Sequence, residues 1–437
     1  MTCSHLQALD AGIDASLDGG LDTAFTVDAS RVTFGSGSLR EVGERARARG
    51  IRRAAVITDR WIRKLPWLDE LTRSLDHAGV DACLYDGTLV EPTDESLGLA
   101  IEFARDAKVD GFISLGGGSV IDTAKVANLY TSHPASFREY VNAPLGDGRP
   151  VPGPLAPHIA CPTTSGTGSE VTGIAIFDWL QHQTKTGIAS PQLRPSEAII
   201  DPRVTLTLPP MVVAASGMDV LCHALESFTA RPYTQRQRTQ TRPASQGSNP
   251  WSDIGCREAL ALCGRHLAAA VAGDLAAREQ MMWAATLAGI AFGNAGVHVP
   301  HAMAYAVAGL ARDYRAPGYP DWTLVPHGIA VVVNAPSVVR ATSATSPDRH
   351  LEAARLLGAD TTGALPDDAG ALLARRIIDM SREIQLPDGI GGVGYTTRDI
   401  LPLVDRTMPQ QRLLANSPIP IGRAELAQLF ENALTYA

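Results

Sequence analysis

An α/β half followed by an all-α half is the architecture this sequence predicts, on three observations. Short apolar strands alternate with helical stretches from Arg53 to Asp201, and one of these strands runs into a Gly-Gly-Gly-Ser turn that opens a helix. Beyond Pro209 strands nearly vanish among long Ala/Leu-rich stretches of helical period. Strands and helices alternating at this spacing form a parallel sheet covered on both faces. The expected organisation is a flexible polar arm over residues 1–25, an α/β domain over 26–208 and a helical domain over 209–437.

Ala54–Asp59 is a short buried strand, followed by a helix over Leu65–Gly79, a strand over Asp81–Tyr85 and a helix over Thr93–Lys108. Gly111–Leu115 is the strand that feeds Gly116-Gly117-Gly118-Ser119, with helix onward to Tyr130. Further strands are expected at Ile159–Pro162 and Ala198–Asp201. The helical half then shows its period over Met211–Thr229, Ser252–Ala272, Ala276–Phe292, Asp367–Ile384 and Arg423–Tyr436. A polar stretch, Arg231–Pro250, interrupts it and is too long for a simple turn.

A chain of 437 residues is long enough for two domains, each with a full core. The net charge of -8 argues against nucleic acid or an anionic membrane as the main partner. No apolar run reaches the roughly eighteen residues that cross a bilayer. Six scattered cysteines without a Cys-x-x-Cys spacing read as reduced thiols. The first thirty residues carry several aspartates and no basic segment followed by an apolar one, so a cytoplasmic location is expected.

The strand–Gly-Gly-Gly-Ser–helix element has the setting of a phosphate-binding turn. Glycine lets the backbone approach a pyrophosphate, and the free N–H groups and dipole of the helix favour negative charge. A second such loop, Pro162–Glu170, follows another strand; two loops at strand ends of one sheet are what a dinucleotide crevice requires. Asp59, ending the first clear strand, is placed to accept from an adenosine ribose hydroxyl and to repel a 2′-phosphate, which favours NAD over NADP. Gly389–Gly394 spells Gly-x-Gly-x-x-Gly literally, but no strand precedes it, and it reads as a loop between helices.

Asp219 and His223 are four apart on an expected helix, so both side chains face one point. A carboxylate oxygen beside imidazole nitrogens suits iron, zinc or another divalent transition metal. His298, His301 and His327 lie downstream among apolar or small neighbours, and spacing alone does not decide between His298 and His301.

Gly116–Lys125, Pro162–Glu170, Gly217-Met218-Asp219 with His223, His301-Ala302-Met303-Ala304 and Pro326-His327-Gly328 resemble the iron-containing (group III) alcohol dehydrogenases, over nearly the whole chain after the first 25 residues. The resemblance implies a dehydroquinate synthase-like architecture: an α/β dinucleotide-binding domain, an all-α metal-binding domain and a site in the cleft between. It implies Asp219, His223, His301 and His327 as metal ligands, with Fe2+ expected ahead of Zn2+. It implies Asp59, Gly117, Gly118, Ser119, Asp122, Thr163, Thr164, Thr167 and Lys185 as contacts to NAD. The ligand position falls on His301 in place of His298. Most members read His-Ala-x-Ala-His where this chain ends in Tyr305, so Tyr305 and His298 stand as candidates for substrate or proton-relay contact.

Tyr305, the Arg231–Pro250 insertion and Leu324–Ala359 are similar to one subgroup, the hydroxyacid–oxoacid transhydrogenases. That likeness implies oxidation of 4-hydroxybutyrate to succinate semialdehyde coupled to reduction of 2-oxoglutarate to 2-hydroxyglutarate, through a nicotinamide that stays bound. The competing expectation is an NAD-dependent alcohol dehydrogenase or small-aldehyde reductase that releases its cofactor each turnover. Acid substrates need a cation at the far end of the cleft, and Arg242, preceding Pro243 in the insertion, is the expected carboxylate clamp. Helices exposed at a domain cleft are compatible with a homodimer.

Overall fold

The structure is a computed structural model that describes residues 20–182, 184–239 and 242–436. Its strands in chain order are β1 (Arg31–Phe34), β2 (Arg53–Ile57), β3 (Asp81–Tyr85), β4 (Gly111–Gly116), β5 (His158–Pro162), β6 (Ile174–Trp179), β7 (Thr184–Ala189) and β8 (Glu197–Ile200). Six of them form one all-parallel sheet in the order β1-β8-β5-β4-β2-β3, while β6 and β7 pair as an antiparallel hairpin. β4 and β5 lie inside the sheet and are buried at every position, which is why they read as continuous apolar runs. The edge strands β1 and β3 are partly exposed.

Helices α1 (Val42–Ala48) and α2 (Pro66–His77) cover one face of the sheet, and α3 (Asp94–Asp106) and α4 (Gly118–Ser132) the other. Helix α2 starts on Pro66 at its first position and buries Leu68, Leu71 and Leu75, one stripe of a helix. Helix α3 starts on a reciprocal cap, with Thr93 Oγ1 accepting from Ser96 N at 3.1 Å and Ser96 Oγ accepting from Thr93 N at 2.9 Å. Strand β2 neighbours β3 on one side and β4 on the other, so the strand order reverses between β2 and β4. A crevice outside the carboxyl ends of the strands opens at such a point.

From Pro210 onward the chain is helical. Helix α5 (Pro210–Thr229) is buried almost all round by α6 (Pro250–Val271), α7 (Leu275–Ala295), α8 (Val299–Gly309) and α9 (His327–Val332). By length and hydropathy α5 is able to cross a membrane, contrary to the expectation from the sequence. Yet 83% of its apolar window is buried within the protein, the mark of a core helix. The two halves meet where Gly168 of the second glycine loop faces Gly289 of α7: a Cβ built on Gly168 would stand 2.5 Å from the Gly289 Cα. Only a pair of residues without side chains permits that approach.

Three features depart from the sequence reading. Strand β1 and the β6–β7 hairpin had no counterpart there. Of the segment read as a flexible arm, residues 20–25 are described, and they are tied down: Asp22 N donates to Arg236 O at 2.8 Å, and the buried Asp22 carboxylate pairs with Arg236 and Arg242. The Gly389–Gly394 sequence is a turn packed on the Ala433–Leu434 backbone between helices, as expected.

Candidate active site

Strands β4 and β5 run in register from Phe112↔His158 to Gly116↔Pro162, so the two glycine-containing loops leave the sheet side by side. Thr163 N donates to Gly116 O at 3.0 Å and holds them together. A Cβ on Gly118 would meet Thr167 Cγ2 at 2.6 Å, so the second loop sits directly on the start of α4. No side chain caps that helix, which leaves its first N–H groups open to an anion.

Asp122, one turn into α4, accepts from Ser169 Oγ at 2.5 Å and from Ile176 N at 2.9 Å. Its carboxylate thus binds the helix to the second loop and to β6. Lys185 on β7 is buried between two carboxylates, pairing with Glu91 and, at 3.1 Å, with Asp178. Ser119 Oγ accepts from Glu91 N at 3.2 Å, which brings Glu91 to the mouth of the turn. Asp59 lies at the carboxyl end of β2, where its Oδ1 accepts from Trp61 N at 2.7 Å and Ile62 N at 2.9 Å.

Across the cleft, α5 presents Asp219 and His223 on one face, α8 presents His301, and α9 begins on His327. Three imidazole Nε2 atoms converge on one carboxylate oxygen: Asp219 Oδ1 is 3.8 Å from His223, 3.6 Å from His301 and 3.8 Å from His327. The donor atoms of Asp219, His301 and His327 all lie within 4.8 Å of one another. The His223 ring is held by stacking on Phe292 at 4.1 Å. Asp219 Oδ1 and His301 Nε2 are buried with no hydrogen-bond partner. Orphaned polar atoms of this kind are costly unless something satisfies them, and one oxygen with three nitrogens suits a divalent transition metal. The residues present therefore fit the metal that the sequence implied.

The reading of the sequence missed Glu226, one turn beyond His223. Its Oε1 accepts from His301 Nδ1 at 2.6 Å and its Oε2 from His298 N at 2.7 Å. A carboxylate on Nδ1 fixes the ring and leaves Nε2 to face Asp219. Burial works against the His301 imidazolium, but Glu226 and Asp219 outweigh it and raise the pKa to about 9. For His223 burial wins and lowers the pKa to about 4, and it lowers His327 as well. Burial opposes ionisation of Asp219, yet the three histidines hold its carboxyl well below the ordinary range. The signal for Glu226 was present: it lies seven residues after Asp219 on a helix, hence on the same face.

One cavity, enclosing about 810 Å³ of empty space with its mouth included, joins the two sets of residues. Gly118, Ser119, Asp122, Thr167 and Lys185 line it from one side, and Asp219, His223, His301, His327 and Tyr305 from the other. Gly117, Thr163, Thr164 and Asp59 stand outside its lining. Thr164 nonetheless touches the Gly117 position, where a Cβ would meet its side chain at 3.3 Å. His298 also lies outside, its Nε2 3.3 Å from Thr229 Oγ1. The expectation for Arg242 is corrected: its guanidinium reaches Asp22 at 3.2 Å in a separate surface recess, and the arginine that lines the cavity is Arg412.

Residues 29–202 match the family described as "Iron-containing alcohol dehydrogenase", and residues 243–434 match "Fe-containing alcohol dehydrogenase family, C-terminal". The chain is 47% identical over 421 residues to "Hydroxyacid-oxoacid transhydrogenase, mitochondrial" of Bos taurus, covering 94% of this chain and 90% of that one. Among solved structures, 1,3-propanediol oxidoreductase superposes with a TM-score of 0.83 at 28% identity, covering 94% of this chain and 100% of the other. Sulfoacetaldehyde reductase from Bifidobacterium kashiwanohense in complex with NAD+ superposes at 0.78 with 25% identity, covering 94% and 99%. The expected cytoplasmic location is corrected by these findings. The Bos taurus relative is named as mitochondrial, so the aspartates of the first thirty residues are no guide to compartment.

Proposed function

The chain belongs to the iron-containing alcohol dehydrogenase family, oxidoreductases of CH–OH groups that use NAD and a metal, and we propose that it acts as a hydroxyacid–oxoacid transhydrogenase. The observation that carries this reading is the single cavity in which the uncapped start of α4 faces the Asp219–His301–His327 constellation. The 47% identity to a transhydrogenase favours that reaction over a dehydrogenase that exchanges its cofactor. Net, 4-hydroxybutyrate and 2-oxoglutarate become succinate semialdehyde and 2-hydroxyglutarate, one hydride and one proton passing from the first acid to the second.

In this reading residues 26–208 hold the nicotinamide and residues 209–437 hold the metal, with the reaction in the cleft between. Asp219, His223, His301 and His327 hold a divalent cation, Fe2+ by our assignment, with Zn2+ the alternative. The N–H groups of Gly118 and Ser119 take the pyrophosphate, Thr167 and Lys185 flank it, and Asp59 takes the adenosine ribose. When bound, the cation supplies Lewis acidity to the substrate oxygen and the nicotinamide supplies the hydride carrier. The residues' own work is positional. Glu226 holds the Nδ1 proton of His301, Asp122 ties α4 to the second loop and to β6, and Lys185 stays charged between Glu91 and Asp178. To Tyr305, a phenol buried beside His327 with ring centroids 6.2 Å apart, we assign the carriage of the hydroxyl proton.

The test is the purified protein incubated with 4-hydroxybutyrate and 2-oxoglutarate without added NAD. Formation of 2-hydroxyglutarate over many turnovers, with nicotinamide absorbance retained after gel filtration, is expected. A strict need for added NAD instead identifies an alcohol dehydrogenase or aldehyde reductase, the activity class of the solved relatives. Metal analysis of the same sample decides between iron and zinc.

A further inference from the structure

An acid substrate whose hydroxyl or oxo end lies among the histidines must put its carboxylate elsewhere in the same cavity. A carboxylate in a buried site needs a paired cation or it stays in water. Among the described residues that line the cavity, two side chains other than histidine carry positive charge, Lys185 and Arg412. Lys185 is already neutralised twice over, by Glu91 and Asp178. Arg412 has no carboxylate partner among the described residues; its Nη1 reaches only the Ser245 hydroxyl, at 3.4 Å.

Its mounting is rigid. Two residues before it, Gln410 Nε2 donates to the Lys185 carbonyl on β7 at 3.2 Å. Four residues after it, Asn416 Nδ2 donates to the carbonyls of Ala295 and Val297, each at 3.2 Å, where α7 ends and the chain turns toward α8. The segment thus spans from the cofactor-side hairpin to the histidine-bearing helices, with Arg412 turned into the space between. Its charge is felt at Tyr305, where it opposes the burial that raises the phenol pKa. A half-buried guanidinium, carried on a segment anchored at both ends and lacking a carboxylate among the described residues, is a fork open for one.

We propose that Arg412 binds the carboxylate of the acid substrates and so sets the preference of this site for hydroxy and oxo acids over uncharged alcohols. The assignment rests on the acid-substrate reading above, and a binding measurement separates the two. Glutarate, a dicarboxylate that cannot be reduced, serves as the probe, titrated by calorimetry into the wild-type protein, Arg412→Ala and Arg412→Lys. The expected result is a rise in Kd of roughly 10- to 100-fold in Arg412→Ala, the range for a lost charge-assisted hydrogen bond, with partial recovery in Arg412→Lys. In turnover, the KM for 4-hydroxybutyrate rises by a similar factor in Arg412→Ala while that for 1-butanol stays within about twofold. Arg242→Ala, outside the cavity, leaves both unchanged.

Glutarate affinity that is equal in all three proteins, or equal losses on the charged and uncharged substrates, overturns the proposal. So does failure of the wild-type protein to bind glutarate. Arginine-dependent glutarate binding in a protein without transhydrogenase turnover overturns the functional reading instead and leaves Arg412 as a carboxylate site. Arg412→Lys, which keeps the charge and most of the volume, guards against a loss due only to misfolding.

Discussion

Glu226 Oε1 lies 2.6 Å from His301 Nδ1, while the opposite nitrogen of the same ring stands 3.6 Å from Asp219 Oδ1. Removing the charge but keeping the shape tests what this pairing contributes. Glu226→Gln is expected to weaken divalent-metal affinity by about 10- to 100-fold, the usual effect of losing a carboxylate behind a ligand histidine. Competition against a chelator reads the affinity, and circular dichroism checks the fold. An unchanged Kd would mean that the charge of Glu226 is not needed and a neutral acceptor on His301 Nδ1 suffices.

Metal binding should release a proton. His301 is raised to about 9 in the metal-free protein, so it is charged at pH 7, whereas His223, at about 4, is already neutral. The affinity therefore rises by up to about tenfold per pH unit and levels off near pH 9. Folding stability runs the other way. A histidine raised above its unfolded value of 6.5 stabilises fully below that pH, and the contribution is lost as pH climbs toward 9. Calorimetry in buffers of different ionisation enthalpy counts the protons, and a count of zero at pH 7 contradicts the assignment.

His301→Ala and His327→Ala are each expected to lose metal and activity together while the fold persists. His298→Ala keeps its metal, because its ring faces Thr229 at 3.3 Å. Elemental analysis of the three purified variants is the measurement. Stoichiometric metal in His301→Ala removes that residue from the ligand set.

At Asp59, one carboxylate oxygen already accepts two backbone N–H groups, so the informative change keeps that cap. Asp59→Asn removes the negative charge with the turn intact. If this carboxylate repels a 2′-phosphate, the preference for NAD over NADP shrinks by about 1–3 kcal/mol. Dissociation constants for both cofactors check it, and an unaltered ratio assigns Asp59 to the turn alone.

The parts of the molecule that were legible in the sequence are those where local pattern and burial agree. β4 is apolar at nearly every position because both its faces are covered, and its glycine turn is visible because chemistry and backbone demand the same residue. The β6–β7 hairpin was not legible. Its strands carry Asp178 and Lys185 opposite each other, an ion pair of a buried lysine and a half-buried aspartate that reads as polar loop. Asp219 and His223 were legible from helical spacing, and His301 only through family likeness. Arg412 was not legible at all, since nothing local marks an arginine on a four-residue helix whose partners lie more than a hundred residues away. Arg242 attracted attention by its constrained neighbour, yet its charge is spent on Asp22.

The Gly168–Gly289 contact makes the gap between the two halves a matter of a single carbon atom. Neither glycine lines the cavity, but Thr167 and Ser169 on either side of Gly168 do, so that loop would feel a methyl group added at Gly289. It would meet Val171 Cγ2 at 2.6 Å and the Gly168 Cα at 2.8 Å, and the two walls would have to part. Two glycines thereby set how closely the second loop of the α/β half can approach the helical half.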